Sequence, residues 1–291
     1  MGKVSFVKVN GSVNNGAIRD AISNSLNLIK FSPSTHVDKI VIKPNMCYYH
    51  HPSTGEVTDS RFIGAMIDYL QDHFSNSKIF VVESDASAMK CKYAFGMLEY
   101  TKLAEKKGVE IVNLSELESN IVEVNMNNWN IRLNLPKLLT DCDLLINVPK
   151  IKYMGGVKMT CALKNMYGCN AYYKKSVYHK AINPAIVGIN KVVKTHLVIV
   201  DGLTVCGKNT KNLNMVMASE DIVSADAACA VLLGFSPPSI QHLALAHEQS
   251  IGDINFVPVG DFSFFKKEFP KRNFRDSLRR RMASAYLRIF H

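Results

Sequence analysis

Strand-like and helix-like segments alternate along almost all of this 291-residue chain, and that alternation limits the folds open to it. A strand begins at Val4, Phe6 and Val7, and residues 17–29 follow with Ile18, Ala21, Ile22, Leu26 and Ile29 at helical spacing. A β-rich run over 39–43 precedes a helix opened by Ser60, with Phe62, Met66, Ile67 and Leu70 on one face. Residues 79–82 are strand-like, 93–107 helical up to Gly108, and 109–112 strand-like again. Residues 121–133 alternate apolar and polar, a small hairpin turning near Asn127. Further strands fall at 144–148, 196–200, 215–218 and 256–259, with helices at 184–193, 222–233 and 239–248. Alternating β and α units predict an α/β fold: a mostly parallel sheet with helices on both faces, three layers in all. Residues 1–260 are expected as one domain, and 261–291 as a basic tail.

In such sheets, ligands collect at the carboxyl ends of the strands. Polar residues recur there: Lys43 and Asn45, Glu83 and Asp85, Lys150 and Lys152, and Asp201. One such residue is enough to cap a helix; four strands ending this way point to a site. The densest group lies within 143–179. There an apolar run ends at Pro149 and is followed by Lys150, Lys152, Gly155-Gly156, Lys158, Lys164-Asn165, Gly168-Cys169 and His179. Glycines let backbone approach a ligand closely, and converging amines suit an anion. The competing reading is a surface loop with solvated lysines. Lys164 is open to pairing with Asp201 or Asp221, or to service as a catalytic amine. His179, near several ammonium groups, would favour its neutral form, which suits a base or a metal ligand.

This stretch resembles the family known as domain of unknown function 362, through Asn147-Val148-Pro149-Lys150, Lys152, Gly156-Val157, Lys164-Asn165, Gly168-Cys169 and His179. Flanking matches are Lys43-Pro44-Asn45, Glu83-Ser84-Asp85, Val200-Asp201-Gly202, Ala218-Ser219 with Asp221, and Ala225-Asp226. Tyr153 stands where many relatives carry histidine, and the ferredoxin-like cysteine cluster of many relatives is missing. A fainter likeness, in order and spacing only, links the chain to the N-terminal domain of lactate racemases. Lys164 and His179 are the nearest counterparts of a cofactor-bearing lysine and a later histidine there. This likeness favours an enzyme-like α/β crevice and assigns neither nickel nor racemisation.

Several chemistries are disfavoured. GxGxxG, the phosphate-binding P-loop, GxSxG and HExxH do not occur. The seven cysteines include no CxxC, so a zinc ribbon or standard ferredoxin site is not expected. Cys47, Cys161, Cys169 and Cys206 lie beside the motifs and are the only candidates for a cluster; reduced thiols are the simpler account. His196, His242 and His247 read as structural.

The leading expectation is an enzyme acting on a small carboxylate- or phosphate-bearing metabolite. Lys43, Asn45, Lys150, Lys152, Lys158 and Asn165 would bind it, and Glu83, Asp85, Lys164, His179 and Asp201 would serve proton transfer or metal contact. Isomerase, lyase and oxidoreductase chemistry remain open, and the cofactor is unspecified. The alternatives are an iron–sulphur electron-transfer protein, or a binding protein working through its tail. Residues 262–291 carry nine Lys and Arg against two acids, which is +7 of the total charge of +10. The nearly neutral body argues against nucleic acid. Phe274, Leu278, Met282, Tyr286 and Phe290 recur every fourth residue, and Arg275, Arg279, Arg280, Arg281 and Arg288 supply charge. Residues 272–290 therefore read as a basic amphipathic helix for an anionic membrane surface or an acidic partner. The alternative is a stripe packed on the body or on a twin subunit in a homodimer. With no signal-peptide core and no apolar run near membrane-spanning length, the expected location is cytoplasmic, peripheral to the inner face of the membrane.

Overall fold

In the computed structural model the apolar runs assemble edge to edge. The residues described are 1–33, 36–47, 49–126, 128–172 and 175–272, without the side chains of Ser176 and His179. The N-terminal half comprises β1 (Gly2–Lys8), α1 (Asn15–Ile29), β2 (Lys39–Pro44), α2 (Ser60–His73), β3 (Lys78–Glu83), α3 (Cys91–Met97), α4 (Tyr100–Lys107) and β4 (Glu110–Asn113). A two-stranded hairpin, β5 (Ser119–Met126) and β6 (Trp129–Pro136), separates it from β7 (Leu144–Val148), β8 (Lys152–Met154), β9 (Lys158–Thr160) and α5 (Ala162–Tyr167). There follow α6 (Ile182–Val192), β10 (Leu197–Cys206), β11 (Thr210–Ser219), α7 (Ile222–Leu233), α8 (Gln241–Glu248), β12 (Phe256–Gly260) and α9 (Phe262–Glu268).

The main sheet runs β12-β1-β11-β10-β7-β2-β3-β4. The pairs β2/β3, β2/β7, β3/β4, β7/β10 and β1/β12 are parallel, and only the two pairs made by β11 along this path are antiparallel. Because side chains alternate across a strand, both faces of each central strand must be apolar. Ile40, Ile42, Ile79, Val81, Leu144, Ile146, Leu197 and Ile199 enter one core beneath α1–α4. Val41, Val82, Leu145, Val198 and Val200 enter the other beneath α5–α8 and the hairpin. Each such fully buried side chain contributes on the order of 1.5–3 kcal/mol. The fold is the mostly parallel three-layer α/β arrangement that the alternation implies.

Local differences have physical causes. The helix expected over 93–107 is two helices, broken where Glu99 takes a left-handed conformation (φ 63°). The N-cap of α2 is Asp59, which accepts from the Arg61 amide, and Ser60 is the first helical residue. Residues 157–163, which taken alone read as helix-like, are split between β9 and α5: Gly155-Gly156 turns the β8/β9 hairpin, with Gly156 at φ 82°. The strand expected to end at Asp201 continues to Cys206 because β11 pairs with it that far.

Beyond β12 the chain stays on the body through Arg272. Phe265 and Phe269 are buried, Phe262 packs against Phe6 with its ring tilted and 4.9 Å between centroids, and Glu268 pairs with Lys211 at 2.7 Å. The Arg272 guanidinium lies 4.4 Å from the centre of the Tyr153 ring. The rest of the expected basic helix, 273–290, lies outside the described residues. No helix among the described residues is long and apolar enough to cross a membrane.

Candidate active site

Register fixes the first part of the site. Lys43 on β2 stands opposite Asn147 on β7, and Pro44 opposite Val148, where both strands end. Helix α5 lies over this edge. Asn147 donates its amide to the Ala162 carbonyl (2.9 Å), while Asn165 donates to Asn147 Oδ1 (2.7 Å) and to the Lys43 carbonyl (3.2 Å). Asn45, just past β2, donates to Asn165 Oδ1 at 2.8 Å. An Asn ladder thus ties two strand ends to the helix that carries Lys164.

Two of the buried acids, Glu83 and Asp201, are already paired. Lys43 Nζ donates to Glu83 Oε2 at 2.9 Å, and Glu83 also accepts from the Ser84 and Met46 amides. Lys150 Nζ lies 3.2 Å from Asp201 Oδ2 and donates to the Thr204 carbonyl at 2.7 Å. Asp201 further accepts from the Asp59 amide (2.9 Å) and the Leu203 amide (3.0 Å). All four side chains are almost completely buried, where an unpaired charge costs several kcal/mol. Each pair neutralises itself and braces a strand end.

Lys152 and Lys164 differ. Lys152, on β8, donates to Asn45 Oδ1 and to the Glu56 carbonyl, each at 2.8 Å. An ammonium has three protons to give, and among the described residues it has, beyond those two oxygens, only the Cys47 sulphur, at 4.0 Å. Among the described residues, no hydrogen bond or ion pair reaches the Lys164 amine. Burial, and then the Lys152 charge, push the Lys164 pKa down; burial also lowers that of Lys152 and raises that of Cys47. Glu56 is a carboxylate that acts on Lys152, and its Oε2 is bound to His50 Nδ1. The result is a half-buried corner with two amines and no carboxylate bonded to either.

The other expected residues fall elsewhere. Lys158 is exposed on β9 and donates to the Ser239 carbonyl at 2.6 Å. Asp85 accepts from the Cys91 amide at the start of α3 and pairs with the exposed Lys90. The side chain of His179 lies outside the described residues. Cys161 Sγ is 3.5 Å from Cys229 Sγ, and Cys169 is buried beside Lys43 and Glu83. Cys47 Sγ lies 4.0 Å from Lys152 Nζ, and Cys206 stands opposite Lys152 where β8 pairs with β10. Among the described residues, no group of three or more His, Cys, Asp or Glu side chains is placed to hold a metal ion.

Three residues contribute that the sequence reading did not place at the site: Lys175 went unmentioned, Asp226 entered only as a match in the family resemblance, and His242 read as structural. Lys175 is almost buried, donates to Ser84 Oγ and to the Gly168 carbonyl (3.0 Å), and has its pKa lowered by burial to about 8. Asp226 accepts from the Ala162 amide (2.6 Å) and the Leu163 amide (3.2 Å), so it caps α5; burial raises its pKa to about 7. A lone acid inside the apolar run of α7 is the signal that marks it. His242 on α8 is fully buried, with neither ring nitrogen bonded among the described residues, and burial, followed by the Lys164 charge, lowers its pKa to about 4.

A family model described as Domain of unknown function (DUF362) matches residues 40–231. The chain is 24% identical over 223 residues to the thylakoid-associated protein sll1697 of Synechocystis sp. (strain ATCC 27184 / PCC 6803 / Kazusa), a match covering 71% of this chain and 66% of that protein. A search of solved structures finds the lactate racemase apoprotein from Thermoanaerobacterium thermosaccharolyticum at a TM-score of 0.47 and 11% identity. That match covers 80% of this chain and 57% of the racemase. The chain thus spans under two thirds of the length of either protein.

Proposed function

This chain belongs to the DUF362 family, and we propose that it is an enzyme whose corner beside Asn45 binds a small anionic metabolite through Lys152 and Lys164. One observation carries the reading. Lys43 and Lys150 are each neutralised by a buried acid, whereas among the described residues Lys152 donates to the neutral oxygens of Asn45 and the Glu56 backbone, and no acid is bonded to Lys164. Two desolvated amines in this arrangement gain from any anion that enters. The carboxylate or phosphate takes the proton of Lys152 that is not used by Asn45 and the Glu56 carbonyl, and it relieves the repulsion between the amines. Lys43–Glu83, Lys150–Asp201 and the Asn ladder hold the corner in shape.

Titration calorimetry of the full chain with pyruvate and with inorganic phosphate tests this. At least one is expected to bind, with the loss of more than about tenfold in affinity in Lys152→Met that follows from removing a charged hydrogen bond. Absence of binding by both, or equal binding to Lys152→Met, removes the proposal.

A second reading rests on the relative named for its association with thylakoids and on the basic stripe over 272–290. In it, the tail holds the enzyme at an anionic bilayer, with arginines on lipid phosphates and the aromatic stripe in the headgroup region. Flotation with phosphatidylserine vesicles is expected to carry the full chain and not a chain ending at Arg272. Equal recovery of the two discards it.

A further inference from the structure

We infer that a second site, at the other end of the sheet from the anion corner, binds an α-amino acid with an aliphatic side chain. It is a cavity of ≈ 430 Å³ where α6 ends, β10 begins, and the turns before α7 and after α8 meet. Asn190 comes to it from α6, Lys194 and Thr195 from the link to β10, Glu220 and Ile222 from the start of α7, and Ile251 from beyond α8. Pockets that hold small metabolites measure about 300–1,000 Å³. The cavity is separate from the anion corner. Thr195 precedes the amino end of β10, whereas Lys43 and Lys150 stand at the carboxyl ends of β2 and β7, and these three strands run parallel.

Two residues of its wall each hold a buried polar atom with no partner among the described residues: Asn190 Oδ1 and Thr195 Oγ1. The Asn190 amide cannot turn to relieve this. Its Nδ2 group donates to the Leu163 carbonyl at 2.9 Å and to the Ile186 carbonyl at 2.7 Å, and a flip would set Oδ1 against both oxygens. Buried polar groups are almost always paired, so two orphans in one wall call for a guest that supplies donors. Glu220, exposed and without a hydrogen bond or ion pair among the described residues, adds a carboxylate. Helices α6 and α8 both end here, and helix C-termini carry partial negative charge. The N-terminus of α7 does not offset this, because the Asp221 carboxylate already accepts from the Val223 and Ser224 amides. Acceptors and negative charge of this kind suit an ammonium group.

The mouth of the cavity also carries positive charge. Lys194 is exposed and has no hydrogen bond or ion pair among the described residues, and the exposed Lys191 donates to Gln249 Oε1 at 3.0 Å. A carboxylate there would take protons from both amines. Ile222 is buried and Ile251 half-buried, so an aliphatic group has apolar wall to lie against. Ammonium, carboxylate and aliphatic group on one small molecule describe an amino acid such as valine, leucine or isoleucine. An inorganic cation would satisfy the oxygens and leave the lysines and the apolar wall unused; a simple carboxylic acid would leave the oxygens orphaned.

The test is titration calorimetry of the full chain with L-valine, L-leucine and L-isoleucine. At least one is expected to bind. The matching acid without the amino group, and the matching amine without the carboxyl group, should each bind more than about tenfold more weakly, since each lacks charged hydrogen bonds. Thr195→Val keeps the shape and removes the orphaned hydroxyl; checked for an unchanged unfolding midpoint, it should lose about tenfold in affinity. Glu220→Gln, at an exposed position, should lose about two- to fivefold, the range for an exposed ion pair. Lys152→Met should bind the amino acid as the wild type does. Absence of binding by all three amino acids overturns the inference, as does equal binding of the acid or the amine, or unchanged affinity in either cavity variant. A loss in Lys152→Met would put the ligand at the anion corner, overturning the second site and leaving that corner standing.

Discussion

Asp201→Asn tests whether the buried charges are braces. Asp201 is fully buried and holds three donors: Lys150 Nζ at 3.2 Å, the Asp59 amide at 2.9 Å and the Leu203 amide at 3.0 Å. Asparagine keeps one acceptor for Leu203, but on the other side it presents an NH2 group to a buried ammonium and a buried amide. Breaking a buried pair in this way costs about 3–5 kcal/mol, since the remaining charge has no counterpart. That is a large fraction of a typical stability of roughly 5–15 kcal/mol. Chemical denaturation should show the midpoint falling at an unchanged slope. Lys150→Met should cost a similar amount, because it removes the partner of a fully buried carboxylate. In the double variant both charges are compromised together, so its loss should fall short of the sum by about 1–3 kcal/mol. A loss under about 1 kcal/mol in Asp201→Asn, or strict additivity in the cycle, would refute the claim that the pair braces the fold.

Three further outcomes follow from the geometry. Gly168→Ala would bring a Cβ to 2.9 Å from the Asn165 carbonyl oxygen and 3.4 Å from both Glu83 Oε1 and Lys43 Cε, so denaturation should register a loss of about 1–3 kcal/mol. Phe265→Ala should cost about 3–5 kcal/mol if residues 262–269 pack as a piece of the core, and a loss below about 1 kcal/mol would detach them from it. Asp226 makes stability fall with pH. Burial raises its folded pKa to about 7 from an ordinary 3.8, so the native state binds the extra proton between those values. The stability this gives is fully present below the lower value and is lost as pH rises through about 7. The stability difference between the wild type and Asp226→Asn should therefore shrink from about pH 5 to about pH 8, and a flat or rising difference would contradict the assignment.

The architecture was legible because the central strands are buried on both faces. Runs such as Lys39–Pro44 and Leu144–Val148 have to be apolar throughout, and the helices between them carry single apolar faces. Failures occurred where short elements meet. Residues 157–163 carry helical spacing, yet the Gly155-Gly156 turn and the β8 partner draw the first of them into a strand. Glu99 breaks a helix that no glycine or proline marks. At the site, the sequence showed which lysines follow strands but not which acids they meet. Lys43 and Glu83 lie 40 residues apart, and Lys150 and Asp201 meet because β7 and β10 pair in parallel, Ile146 opposite Leu197, with the Asp201 amide bonded to the Pro149 carbonyl just past β7. The distinction that matters, between lysines with an acid and lysines without one, is therefore set by register and not by local pattern. Lys175 gave no sign, since it lies in a polar run that reads as loop.

Competitive acylation of Lys164 with acetic anhydride across a pH series, with and without saturating pyruvate or phosphate, tests the anion site most directly. Lys164 is expected to react with a pH midpoint below that of the exposed lysines of the same chain. Pyruvate or phosphate should protect it, and Lys152→Met should abolish that protection. A Lys164 that titrates with the exposed lysines, and whose reactivity neither anion changes, would contradict the account.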